Sequence, residues 1–280
     1  MLGRDRTQYK TVEQMRLMRR AGLVVADALD AVRAALRPGV TTKELDAIAY
    51  DVIRSAGATP SFLNYGQPPY PASTCISVND EVVHGIPGGR TVAAGDVVSV
   101  DCGAVLAGWH GDSAFTAIVA AADADGEPGS AADRALVEVT REAMWVGIGA
   151  IAAGQRLGGI GGSIEDHVAG RYGLVEDYGG HGIGTEMHQD PHVLNYRTRE
   201  AGRRMRPGLC LAIEPMLTVG GADTRVLADQ WTVSTMDGSR AAHWEHSVAL
   251  HEGGLWVLTA PDGGEAGLAG VGARFAPLGD

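Results

Sequence analysis

Four carboxylates, Asp101, Asp112, Glu214 and Glu245, stand at or near the ends of apolar, strand-like runs. Gathering four acids at such places is costly unless something cancels their charge. One divalent cation would leave two negative charges uncompensated, whereas two cations balance all four. The pattern therefore points to a two-metal centre. Oxygen donors with a single imidazole favour Mn, Fe or Co, with Zn possible, and differ from a structural thiolate zinc site. Taken alone, each acid would read as a turn or cap residue and each histidine as structural; their repetition is what carries weight.

That repetition is visible in the chain. Gly95 through Asp101 is matched by Gly208 through Glu214, each a turn glycine, an apolar strand and a carboxylate at the sixth residue after the glycine. His84-Gly85-Ile86 is echoed by His181-Gly182-Ile183, and Asp112-Ser113 more loosely by Glu245-His246. Each half thus offers one histidine followed by two carboxylates, the mark of an internal duplication.

The elements that must position these residues recur in the same order. Thr11 with Gln14 reads as a capping box opening a helix through Met15, Met18, Leu23, Val24, Ala28, Val32 and Leu36, which Pro38-Gly39 ends. Thr41 with Glu44 starts a second, striped by Leu45, Ile48, Val52 and Ile53 and stopped by Gly57. Strand-like runs follow at Cys75–Val78, Val82–His84, Val97–Asp101 and Ala114–Val119. The second half repeats two helices, Ala132–Ile151 and one through Ile160, Ile164 and Val168, before its strands. The halves are placed at about 11–120 and 131–260, after an arm at 1–10. The Gly-, Ala- and Pro-rich stretch 261–280 shows little periodicity and is expected to be a mobile tail without chemistry.

Composition narrows the classes. With 280 residues, 45% hydrophobic and 20% charged, the chain can bury a sizeable core and is neither disordered nor fibrous. A net charge of -11 argues against direct nucleic-acid binding, which needs a basic face. The start, with Arg4, Asp5, Arg6 and Lys10, holds no apolar signal segment, and no long apolar run follows, so a cytoplasmic protein without a membrane span is expected. Cys75, Cys102 and Cys210 are odd in number and form no Cys-x-x-Cys pair, so they read as buried thiols.

Several segments then resemble a known family. Cys75-Ile76-Ser77-Val78-Asn79-Asp80-Glu81-Val82-Val83-His84-Gly85-Ile86-Pro87 is similar to a motif of type I methionine aminopeptidases. So are Gly180-His181-Gly182-Ile183-Gly184 followed by His188, Ile213-Glu214-Pro215-Met216, and Trp231-Thr232-Val233 leading to Glu245-His246. The resemblance runs from about Val12 to Thr259. It implies an α/β (α+β) pita-bread fold, with pseudo-twofold duplicated helices outside curved antiparallel sheets.

The resemblance also implies roles. Asp112 and Glu245 would bridge two divalent ions, His181 and Glu214 would complete one, and Asp101 would chelate the other. Glu214 would handle the water proton, and His84 and His188 would contact the peptide without binding metal. Tyr65, Tyr70, Cys75, Met187, Met216 and Trp231 would form the apolar methionine slot, although Met187 replaces an expected aromatic and Asn64-Tyr65-Gly66-Gln67 departs from the usual stretch. His246 would orient Glu245, while His110, His192, His243 and His251 are left as surface or supporting residues. The implied activity is hydrolysis of the initiator methionine from nascent polypeptides, with a small second residue, by a monomer with transient ribosome contact. An Xaa-Pro aminopeptidase or prolidase, and a peptidase-like binding protein without catalysis, are the alternatives.

Overall fold

A computed structural model describes residues 6–121 and 127–279; Met1 to Asp5 of the expected arm lie outside the described residues. Two helices, α1 (Val12–Ala35) and α2 (Thr42–Ser55), lead into β1 (Thr59–Pro60), β2 (Thr74–Val78), β3 (Glu81–Val83), β4 (Val97–Leu106) and β5 (Trp109–Ile118). Helices α3 (Ala131–Gly149) and α4 (Gly158–Val168) then lead into β6 (Gly173–Leu174), β7 (Gly180–Gly182), β8 (Gln189–Val193), β9 (Cys210–Ile213) and β10 (Met216–Thr218). The chain continues through β11 (Thr224–Val226), β12 (Val233–Thr235), β13 (Ala241–His243), β14 (Glu245–His251), β15 (Gly254–Val257) and α5 (Glu265–Gly270).

Both helix starts inferred from Thr11 and Thr41 form as expected. In each, the threonine hydroxyl accepts from the backbone N–H three residues on, and the Gln14 or Glu44 side chain accepts from the cap N–H. Such caps contribute about 1 kcal/mol each by satisfying donors that helices leave open. Ser130 with Asp133 makes a third box at α3, unremarked in the sequence because Asp stands where Glu or Gln usually does.

The large sheet runs β1-β4-β5-β14-β9-β7-β8, with β2 on β4 and β15 on β14. All its pairings are antiparallel. The two halves meet where β5 pairs β14, Ala114 opposite Glu245 and Ser113 opposite His246. Strand periodicity then sorts the faces. Val98, Val100, Cys102 and Ala104 of β4 and Phe115 of β5 pack with Val25, Ala28, Val32, Leu45 and Ile53 of α1 and α2. Leu211 and Ile213 of β9 and Val248 and Leu250 of β14 pack with Leu136, Met144, Ile148, Ile160 and Ile164 of α3 and α4. Alternation sends Asp101, Asp112, Ala114, Ala212 and Glu245 to the other face, so the acids stand on the side away from the helices.

The repeated turn glycines share one conformation, with φ +84 at Gly95 and +100 at Gly208, a region that side chains disfavour. Gly22 on α1 and Gly111 on β5 serve contact instead. A Cβ on Gly111 would lie 2.7 Å from the Gly22 Cα, so the helix rests directly on the strand one residue before Asp112.

The last stretch differs from the mobile tail expected. Leu268 of α5 is buried in the cluster beneath α3, Asp262 accepts from the N–H groups of Gly264 and Ala266, and Phe275 bridges Leu255 in parallel. Arg16 donates to the carbonyls of Leu278 and Gly279. A six-residue helix held by the Asp262 turn before it and by long-range contacts leaves almost no periodic signal. Cys75, Cys102 and Cys210 are free and buried. Among the described residues, no helix is long and apolar enough to cross a membrane.

Candidate metal centre and active site

Asp101 of β4 stands opposite Ala114 of β5, and Ala114 stands opposite Glu245 of β14. The small Ala114 side chain leaves open space between two acids on the flanking strands. Asp112, two residues before Ala114, faces the same way. On the other half, His181 of β7 pairs Ala212 of β9, and Glu214 follows two residues after Ala212. All five expected donors thus line one cavity. Donor atoms of Asp112, His181 and Glu245 lie within 4.8 Å of one another. Glu214 Oε1 is 3.4 Å from His181 Nε2.

The electrostatics of this face are unfavourable without a counter-charge. Burial raises the Asp101 carboxyl to about 8. Burial, followed by the charges of the neighbouring acids, pushes Asp112, Glu214 and Glu245 well above the usual carboxylate range. Among the described residues, Asp101 Oδ1, Asp112 Oδ1 and Glu245 Oε1 are buried without a hydrogen-bond partner. Such oxygens are costly to leave bare. Burial, then the proximity of His188, lowers His181 to about 3, so its imidazole is neutral and able to ligate. A set of four acids and one neutral imidazole, with unpaired inward oxygens, fits divalent metal binding.

The apolar part of the cavity is built from Phe62, Tyr70, Cys75, Met187 and Trp231, with Tyr65, His84 and His188 at its polar side. The cavity as a whole, acids and histidines included, has a volume of about 150 Å³, close to an engineered cavity that holds one benzene, so its apolar part accommodates no more than one medium-sized side chain. Tyr70 and Trp231 meet edge to face at 5.2 Å, and the Tyr70 hydroxyl donates to the carbonyls of Thr74 and Gly85. Asp229 accepts from the backbone N–H groups of Trp231 and Thr232, while the Trp231 indole donates to the Pro68 carbonyl.

The two histidines of the cavity are held differently. His84 sits just past β3 at φ +60, an uncommon conformation for a side-chain-bearing residue, with Tyr178 at 5.4 Å and Trp231 at 6.1 Å. Burial, then the nearby His188, lowers it to about 4, so it is neutral at pH 7. His188 lies edge-on to His181 at 4.4 Å, and its Nδ1 is 2.6 Å from the Tyr65 hydroxyl.

Two expectations are corrected. Met216 does not reach the cavity: Pro215 ends the run of β9, the chain enters the β13-β10-β6 sheet, and Met216 packs with Val82, Val83, Val175 and Val233. His246 does not touch the Glu245 carboxylate, because consecutive strand residues face opposite ways. It meets Ser113 and Thr259 instead, and the Ser113 hydroxyl donates to the Glu245 carbonyl. Of the two readings left open for His243, the structure gives the supporting one. The residue is 1% exposed with Nε2 3.8 Å from Glu214 Oε2, beneath the acid cluster. Its place two residues before Glu245 in the chain was the available sign. Phe62 was missed because its segment has no period to expose it. His110 bonds Ser61, His251 meets the Ala276 carbonyl, and His192 is exposed.

Comparison with known proteins accords with this geometry. The model of metallopeptidase family M24 matches residues 16–252. Methionine aminopeptidase 1 of Mycobacterium tuberculosis is 50% identical over 265 residues, covering 92% of this chain and 96% of that one. Methionine aminopeptidase 1 of Bacillus subtilis is 42% identical, covering 89% and 98%. The crystal structure of the Thermotoga maritima methionine aminopeptidase superposes with a TM-score of 0.85 at 39% identity, covering 90% of this chain and 99% of that one. The prolidase of Pyrococcus furiosus, at 21% identity and a TM-score of 0.70 over 91% of this chain and 66% of that one, shares the fold. The architecture is thus the pita-bread fold, and the chain belongs to metallopeptidase family M24, in its branch of type I methionine aminopeptidases.

Proposed function

We propose that this chain hydrolyses the N-terminal methionine from nascent polypeptides in the cytoplasm, preferring a small second residue. The observation that carries the reading is an apolar slot for one side chain opening directly onto four acids, three of which keep a buried oxygen without a hydrogen-bond partner among the described residues. Asp101, Asp112, His181, Glu214 and Glu245 would hold two divalent ions, drawn from Mn, Fe, Co or Zn. When bound, such ions polarise the scissile carbonyl and acidify water.

The chain's own residues do the rest. Phe62, Tyr70, Cys75, Met187 and Trp231 receive the methionine side chain, whose thioether suits aromatic and polarizable walls. Glu214, raised by burial and by Asp101, takes the proton from the attacking water and returns it to the leaving amine. His84 and His188, both neutral, offer ring N–H donors to the peptide carbonyl as negative charge develops on it.

The test is a peptide series varying positions one and two, run after chelation and after restoring each divalent ion. Met-Ala and Met-Gly peptides should be cleaved and Leu-Pro peptides spared. Equal cleavage of Leu-Pro and Met-Ala would move the assignment to the Xaa-Pro enzymes, and no turnover with any ion would leave a binding protein.

A further inference from the structure

Tyr65 stands apart from the other residues of the slot. The residue is 41% exposed, at the cavity mouth, and so adds little apolar wall. Its hydroxyl makes one hydrogen bond among the described residues, the 2.6 Å contact to His188 Nδ1. The loop that carries it is held at both ends: Tyr65 N–H donates to Phe62, and Tyr70 N–H donates to the Tyr65 carbonyl. Asn64 at φ +67 and Gly66 at φ +73 shape the turn around it. Nothing in this arrangement grips a methionine side chain.

Between a phenol and a neutral imidazole, the phenol is the better donor and the imidazole nitrogen the better acceptor. A phenol ordinarily titrates near 10 and keeps its proton at neutral pH, so the hydroxyl of this 2.6 Å contact is the donor and Nδ1 the acceptor. With Nδ1 accepting, the imidazole proton must reside on Nε2. The ring nitrogen left for the cavity is then a donor.

We infer that Tyr65 is a positioning residue: its hydroxyl selects the Nε2–H tautomer of His188 and so makes that histidine a hydrogen-bond donor to the peptide, rather than an acceptor. This rests on the reading of His188 as a contact to the substrate carbonyl. Without Tyr65, either tautomer is open to a neutral imidazole, and the wrong one presents a lone pair to developing negative charge. The hydroxyl therefore acts on the transition state and leaves ground-state binding alone.

The experiment is Tyr65→Phe in the metal-loaded enzyme. We expect kcat on a Met-Ala peptide to fall roughly tenfold or more, as for other partners that orient a functional histidine, with KM within about twofold and metal content unchanged. The 15N spectrum of histidine-labelled wild type should show His188 as a single Nε2–H tautomer, and the variant a mixture. In a His188→Ala background, Tyr65→Phe should cost nothing more. A wild-type Nδ1–H tautomer, an unchanged kcat, or a raised KM at constant kcat would overturn the assignment, the last by making Tyr65 a slot wall. Wild type inactive on every methionyl peptide would sink the functional reading instead, and the spectra would still decide the tautomer.

Discussion

Asp101 and Glu245 face each other across a single alanine: both stand opposite Ala114, one on each strand flanking β5. Ala114 is 2% exposed, so any larger side chain there must displace the acids. Ala114→Leu should retain the fold at a cost of about 1–3 kcal/mol, the usual range for overpacking, yet lower affinity for the divalent ions by roughly tenfold or more. Titration calorimetry with Mn or Co reads the outcome. Wild-type affinity in that variant would show that the gap over Ala114 is not where the ions sit.

Metal removal should leave a pH signature. Asp101 ordinarily titrates near 3.8 and rises to about 8 through burial. A carboxyl whose folded pKa lies above its unfolded value adds stability when protonated, in full below 3.8, and loses it as pH rises through about 8. Asp112, Glu214 and Glu245 shift the same way. Chelated protein should therefore melt at a lower temperature at pH 8 than at pH 6, and added divalent ion should close the gap. Asp101→Asn should flatten the slope in the chelated protein. Equal melting temperatures at the two pH values would mean that the acids do not strain the metal-free fold.

Much of this was legible in the chain because it repeats. The Gly95–Asp101 and Gly208–Glu214 segments differ in almost every residue, yet each places its acid on the face away from the helices. Period-two alternation alone decides that. The helix starts at Thr11 and Thr41 were likewise written in local chemistry. What escaped depends on contacts between distant segments. Met216 reads as a slot residue until one sees that Pro215 moves the chain into another sheet, and His243 stays undecided between surface and support until β13 is seen beneath Glu214. Phe62 and the 261–279 segment are set by packing, and packing has no period.

Gly66 tests the loop that closes the slot. At φ +73 it occupies a conformation costly to other residues, and a Cβ there would lie 2.5 Å from the Trp231 ring. Gly66→Ala should push Trp231 from its bond to Pro68, enlarging or misaligning the wall. KM for methionyl peptides should rise roughly tenfold, within the 1–3 kcal/mol expected when an apolar pocket loses fit. Discrimination against leucyl peptides should shrink with it. Unchanged selectivity would show that Trp231 is not a wall of the slot.

His84 separates metal binding from catalysis. It lines the cavity, but the close donor set comprises Asp112, His181 and Glu245. His84→Ala should therefore keep its divalent ions while kcat falls by about 10²–10³, the range seen when one donor to developing charge is removed. Glu214→Gln should lose both, because that carboxylate is proposed as ligand and proton carrier at once. Metal content by atomic emission, measured beside turnover, distinguishes the two. If His84→Ala came out depleted of metal, His84 would have to be counted among the ligands and the charge balance drawn from the four acids redone. If Glu214→Gln kept full activity, the proton would have to travel by another group, and His243, 3.8 Å from the same carboxylate, would be the next to examine.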